Sequence, residues 1–191
     1  MTTHYIDIHL LPDPEFNQAH LLSALMSKLH RALVQLQTNT IGVSFPRHVV
    51  VPVSQRTLGS VLRLHSSESA LSELMSLNWL KGMRDHVTVS DLAPVPSGAL
   101  HRLVKRRQFK TNVDRLRRRR MKRKGETVEQ AVCAIPDTVE RTPKLPFVQL
   151  RSTSTGQAFC VFIEHGDVQA NNVSGSFSTY GLSQGGSIPW F

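Results

Sequence analysis

The chain has 191 residues, 40% of them hydrophobic, with 23 Lys and Arg against 14 Asp and Glu for a net charge of +9, enough for one good-sized core or two small domains. That excludes a staple-dependent miniprotein, and no apolar run approaches the roughly 18 residues of a membrane span, so no membrane partner is expected. Cys133 and Cys160 lie outside any C-x-x-C spacing, which argues against a disulfide framework or a zinc site and fits a reducing cytoplasm.

Tyr5-Ile6-Asp7-Ile8-His9-Leu10 alternates with period two, as a half-buried strand does, and no secretory signal is expected from Met1 to Leu10. Pro12 and Pro14 close that strand. From Phe16 to Gln37, Leu22, Leu25, Met26, Leu29 and Leu33 recur at helical spacing, which predicts an amphipathic helix. Ile41 to Phe45 and Val61 to His65 read as strands, and Ser66 or Ser67 caps a second helix running through Leu80. His86 to Leu92 reads as a fourth strand. The order β-α-β-β-α-β predicts an α+β protein with a ferredoxin-like unit, two helices on one face of a four-stranded sheet, over residues 1–93.

Ala93 to Gly98 is rich in Pro, Gly and Ser and reads as a linker into a less regular half, residues 94–191. There Asn112 is expected to cap a basic helix from Val113 to Lys124 that Gly125 ends, and Thr127 to Ile135 reads as another helix. Leu145–Leu150, Gln157–His165 and Ser176–Tyr180 read as strands of a small sheet.

Charge is unevenly distributed. Residues 101–124 hold 13 Lys or Arg and one acid, Asp114, whereas the other 167 residues carry a net −3. A stripe this dense marks a polyanion partner, with nucleic acid ahead of an anionic membrane surface. On a helix, Arg115, Arg118, Arg119, Lys122 and Arg123 follow i, i+3, i+4 steps and share one face. Aromatic residues are only 6% of the chain, a thin stacking platform for a pure single-strand binder. A lone helix suits structured nucleic acid better, and for RNA a short hairpin, because the groove of a long A-form duplex is too deep and narrow to read.

Met1 through Pro46, Asn112 to Arg123, Ile135 to Val139, Leu145 to Val148, Leu150 to Ser152, Ser154 to Gln157 and the terminal Tyr180-Gly181-Leu182-Ser183 and Pro189-Trp190-Phe191 resemble the CRISPR-associated endoribonuclease of type I-F systems in order along nearly the whole chain. The resemblance implies a cofactor-free and metal-independent enzyme that binds the stem-loop of the CRISPR repeat RNA. It implies cutting at the 3′ base of the stem by attack of the RNA's own 2′-hydroxyl, retention of the product, and a place among the other subunits of the type I-F surveillance complex in the cytoplasm. No metal-ligand spacing stands among the nine histidines.

By the same resemblance His30 matches the catalytic histidine, acting as base, acid or electrostatic support; by periodicity alone it is a surface histidine at the edge of the apolar stripe. Ser152 matches the serine that holds the attacking hydroxyl, and Ser154 shares its face in an extended segment. Tyr180 matches an active-site tyrosine; otherwise it is an aromatic anchor in a strand. Arg106 and Gln108 match readers of base edges, a task their bidentate chemistry suits, and Phe159 an aromatic stacked under the last base pair. Lys122 stands where an arginine is usual, keeping charge but losing the fork. Residues 47–57 exceed the pattern and receive no role. A non-catalytic RNA hairpin-binding scaffold is the alternative, and a DNA-binding regulator a third reading.

Overall fold

The computed structural model describes residues 2–109, 113–139, 143–152 and 155–191, forming two compact units, Met1–Arg107 with Leu145–Phe191, and Gln108–Lys144.

The first unit begins with β1 (His4–Leu10), α1 (Gln18–Leu36), β2 (Gly42–Ser44), β3 (Val61–Ser66), α2 (Glu68–Ser76) and β4 (Val87–Val89). The strands form an antiparallel sheet in the order β2-β3-β1-β4. That order, with a helix after β1 and another after β3, is the ferredoxin-like unit read from the sequence. Alternation along β1 decides what each face holds. Ile6 and Ile8, opposite Leu64 and Leu62, are buried with Leu22, Leu25, Leu29 and Leu33 of α1 and Leu71 and Leu74 of α2. Asp7 and Tyr5, opposite Arg63 and His65, point the other way. There Arg63 grips Asp7 through two hydrogen bonds of 2.6 and 2.8 Å and lies over the rings of Tyr5 and Phe191.

Several boundaries differ from the sequence reading. The first helix starts at Gln18 because Asn17 caps it, accepting from the His20 N–H at 2.9 Å. Ser67 caps α2, which stops at Ser76 instead of Leu80; the chain then turns, and Trp79, Leu80 and Met83 are buried from turns. Ala93–Pro94, at the head of the expected linker, is a short strand, β5, paired with β1. Two strands not foreseen follow, β6 (Leu100–Arg102) and β7 (Val104–Arg107).

In the second unit α3 (Val113–Lys124) has the expected span and ends at Gly125; its expected cap, Asn112, lies outside the described residues. The next helix, α4 (Val128–Ala134), is opened by a capping box between Thr127 and Gln130. Back in the first unit, β8 (Phe147–Arg151) and β9 (Ala158–His165) join β7 in a three-stranded sheet ordered β7-β9-β8. Val148 and Leu150 of β8 and Val161 and Ile163 of β9 bury into the same core as α1, so α1 is covered by both sheets. Finally β10 (Ser176–Phe177) and β11 (Ser183–Gln184) form a hairpin, and β12 (Ile188–Trp190) pairs with β6.

Two buried histidines give this unit an acid limit. Burial, and then the Arg63 charge, push His65 down to about 3; its Nε2 lies 2.8 Å from the Ser44 hydroxyl. His165 is pushed down to about 2 by burial, by His48 stacked on it at 3.6 Å, and by Arg102. Unfolded, each ring takes a proton near pH 6.5, which the folded protein refuses until far lower pH. Stability is therefore full above pH 6.5 and falls as pH drops, by about 2 kcal/mol per histidine at pH 5. Urea denaturation at pH 7.5 and pH 5 checks this: the midpoint should fall, and a pH-independent midpoint would contradict the buried neutral rings.

Candidate active site

Periodicity puts His30 beside the buried stripe of α1, and the fold supplies its partners from the β10–β11 hairpin. His30 Nδ1 lies 2.9 Å from the Thr179 carbonyl oxygen. The ring is stacked on Tyr180, with centroids 4.1 Å apart and planes 7° from parallel. A carbonyl oxygen has no proton to give, so Nδ1 carries the hydrogen and donates it. In the neutral ring the lone pair then belongs to Nε2.

The hairpin tip that supplies Thr179 and Tyr180 is a turn, whereas the sequence reading extended a strand through Tyr180. The Gly181 N–H donates to the Ser178 carbonyl at 2.8 Å, the Ser178 N–H to the Leu182 carbonyl at 2.8 Å, and the Val43 N–H to the Gly181 carbonyl at 2.8 Å. Gly181 has φ of 72°, and a Cβ there would sit 2.5 Å from Val43 Cγ1. Only glycine fits both the left-handed backbone and the close approach to β2.

Ser152 follows β8. The Gln149 N–H donates to the Ser23 hydroxyl of α1 at 3.3 Å, and Phe147 and Gln149 share a cavity with His20 and Ser23 of α1. Ser152 is half-buried just past the end of β8. Its backbone N–H donates to the Gln157 carbonyl and its hydroxyl accepts from the Thr155 N–H. Ser154 lies outside the described residues.

Arg106 is exposed on β7, its guanidinium 5.9 Å from the half-buried ring of Phe159 on β9. The next residue, Arg107, is held by Glu164 at 2.6 Å. Gln108 is exposed in the second unit. There the arginines of α3 divide into two groups. Arg117 donates twice to the Ile135 carbonyl, at 2.9 and 2.7 Å, and pairs with Asp137. Arg120 grips Glu126 with two bonds, holding that carboxyl below its ordinary range. Arg115, Arg118, Arg119, Lys122 and Arg123 are all exposed. Among the described residues no group of three His, Cys, Asp or Glu is placed to hold a metal ion.

The sequence pattern of the CRISPR-associated protein family Cas_Csy4 matches residues 5–191. The chain belongs to that family. It is 50% identical over 188 residues to the CRISPR-associated endonuclease Cas6/Csy4 of Pseudomonas aeruginosa (strain UCBPP-PA14), covering 98% of this chain and 99% of the relative. To the protein of the same description from Escherichia coli (strain UTI89 / UPEC) it is 44% identical with the same coverage. A solved RAMP protein that binds different RNA substrates aligns over 97% of this chain and 98% of its own, at 12% identity and a TM-score of 0.34; the fold assignment rests on the strand order above.

In this Cas_Csy4 chain, sequence reasoning did not foresee Thr179, which acts through a backbone carbonyl, nor the part played by Val43. Gly181 was the available signal, a glycine directly after the tyrosine. Gly181→Ala should cost at least about 1–2 kcal/mol for a side chain in left-handed backbone. Adding Val43→Ala relieves the overlap, so the double variant should lose less than the sum of the single losses in urea denaturation. Strict additivity would show that the turn is not pressed against β2.

Proposed function

We propose that this family member is a metal-independent endoribonuclease that binds the stem-loop of a CRISPR repeat and cuts precursor RNA at the 3′ base of the stem. The observation that carries the reading is the His30 hydrogen bond to the Thr179 carbonyl, which leaves Nε2 as the basic nitrogen on a ring clamped by Tyr180. His30 is then the general base: Nε2 accepts the proton of the 2′-hydroxyl, and the 2′ oxygen attacks the adjacent phosphorus. The bond from phosphorus to the 5′ oxygen breaks, and that oxygen leaves with a proton from solvent. The products are a 2′,3′-cyclic phosphate and a 5′-hydroxyl. An internal nucleophile needs alignment and proton transfer, the tasks this reading gives to Ser152 and to the fixed imidazole of His30.

Ser152, just past β8, holds the attacking hydroxyl in line, and Ser154 contacts the same phosphate. Phe159 stacks under the terminal base pair, with Arg106 beside it reading a base edge and Gln108 a second. Arg115, Arg118, Arg119, Lys122 and Arg123 neutralise the phosphates of the stem. The exposure of these five supports this: Arg117 and Arg120 are half-buried against Ile135 and Glu126, whereas the five side chains are exposed to solvent. All of these contacts are to the part of the RNA that survives cutting, so the enzyme stays on its product and serves as a subunit of a type I-F surveillance complex in the cytoplasm.

Cleavage of repeat RNA should proceed in EDTA and stop with a single 2′-deoxy substitution at the cut. His30→Ala should slow it by about 10²–10⁴-fold, the usual worth of a general base, while hairpin affinity stays unchanged. Cutting that requires Mg²⁺ or survives the deoxy change contradicts the chemistry. No cutting by either form, with tight binding by both, would make the protein a scaffold.

A further inference from the structure

The helix that carries His30 has a second exposed face. Lys28, Arg31 and Gln35 stand at i, i+3 and i+7, about 100–160° around α1 from His30. With Asn78, Trp79 and Lys81 they line an open groove of about 380 Å³. The Lys28 ammonium donates to the Lys81 carbonyl at 2.6 Å, fixing one wall to the other. Beyond Leu77, Asn78 and Trp79, which both spaces share, lies a cavity of about 360 Å³ lined by Met75, Leu80, Val87 and Val89 with Arg84 at its edge. Arg84 donates to the Asn78 side chain at 2.9 Å.

The charge balance here runs against the rest of the chain. Outside residues 101–124 acids outnumber bases, yet four cations surround these two spaces and no carboxylate lines either. Among the described residues none of the four makes an ion pair. Trp79 forms the wall between them, 8% exposed, its indole N–H buried without a partner among the described residues. Cations for phosphates beside an apolar, aromatic-walled space for a base is the composition of a single-strand nucleic-acid site.

We propose that this groove holds the unpaired RNA strand immediately 3′ of the cut, with its phosphates on Lys28, Arg31 and Lys81 and a base in the apolar space beside Trp79. The proposal rests on the endoribonuclease reading. In that reading the strand leaving the break starts at His30, and Arg31 is the next residue on the same helix, so the first few nucleotides past the break come within reach of the groove. The stem, held elsewhere, makes no demand on it. The groove therefore adds affinity for uncut precursor and gives it up on cutting.

The test uses hairpin RNAs made uncleavable by a 2′-deoxy at the cut: one ending there, one with an unpaired 3′ tail, and one with an unpaired 5′ tail. Binding is measured for the native protein and for the exposed pair Arg31→Gln/Lys81→Gln. The native protein should bind the 3′-tailed RNA more tightly than the bare hairpin. Its log–log salt dependence should be steeper by about 2, near 0.7 for each of three phosphates, so the tail's advantage shrinks roughly 20-fold between about 50 and 200 mM salt. The variant should lose most of that advantage and keep the affinity for the bare hairpin. A 3′ tail that adds nothing, a gain equalled by the 5′ tail, or a gain the variant retains overturns the groove alone; the first is the outcome if a protein partner occupies it. Failure to bind the bare hairpin overturns both the groove and the reading beneath it.

Discussion

One hydrogen bond joins the two parts of the candidate site, from the imidazole of His30 to the backbone carbonyl of Thr179, across 149 residues of sequence. It fixes which nitrogen holds the proton, and so which nitrogen is basic. Each side of the bond is anchored separately. On one side α1 is immobilised by an apolar stripe buried between two sheets. On the other the hairpin tip is held by backbone bonds through Ser178 and by Gly181 pressed against Val43 of β2. Tyr180 then closes over the imidazole face, leaving rotation of the ring opposed by both a directional bond and a stacked neighbour.

Many of the cations are paired within the protein. Those facing the protein's own carbonyls and carboxylates are satisfied there: Arg63 by Asp7, Arg107 by Glu164, Arg117 by Ile135 and Asp137, Arg120 by Glu126. These pairings contribute structure and neutralise little of the surface. The exposed face of α3 and the walls of the Trp79 groove, where Arg118 and Lys28 also reach backbone carbonyls, are cationic surfaces on which a phosphate can lower the repulsion among like charges. Length and spacing separate the two as binding surfaces: a helix face of five cations suits the continuous backbone of a stem, and a groove of three with an apolar neighbour suits a few unstacked nucleotides.

The ferredoxin-like core was legible because its elements carry strong periodic signals. The alternation in β1 and the leucine stripe of α1 leave little freedom, and in the second unit the Arg-rich run between Val113 and Gly125 is as plain. What escaped was structure with little apolar content of its own. Strand β7 buries only Val104 and is otherwise Lys-Arg-Arg, so nothing in Lys105 to Arg107 announces a strand. Past Ser76 the residues Leu77, Trp79 and Leu80 are apolar enough to continue a helix, and only the fold shows Trp79 and Leu80 burying from a turn. The site divides in the same way. His30 stood out by resemblance, since its periodicity is that of an ordinary stripe-edge residue, whereas the carbonyl that orients it belongs to a threonine whose side chain has no part in the contact.

The protonation of His30 is the most direct measure of the central claim. Long-range ¹⁵N–¹H NMR of the protein, free of RNA and at a pH where the ring is neutral, distinguishes the two tautomers. The proton is expected on Nδ1, with Nε2 as the bare, basic nitrogen, and Tyr180→Ala should leave that assignment in place because the carbonyl sets it. A proton found on Nε2 would mean that the Thr179 carbonyl does not hold the ring, and the general-base role assigned to His30 would fall with it.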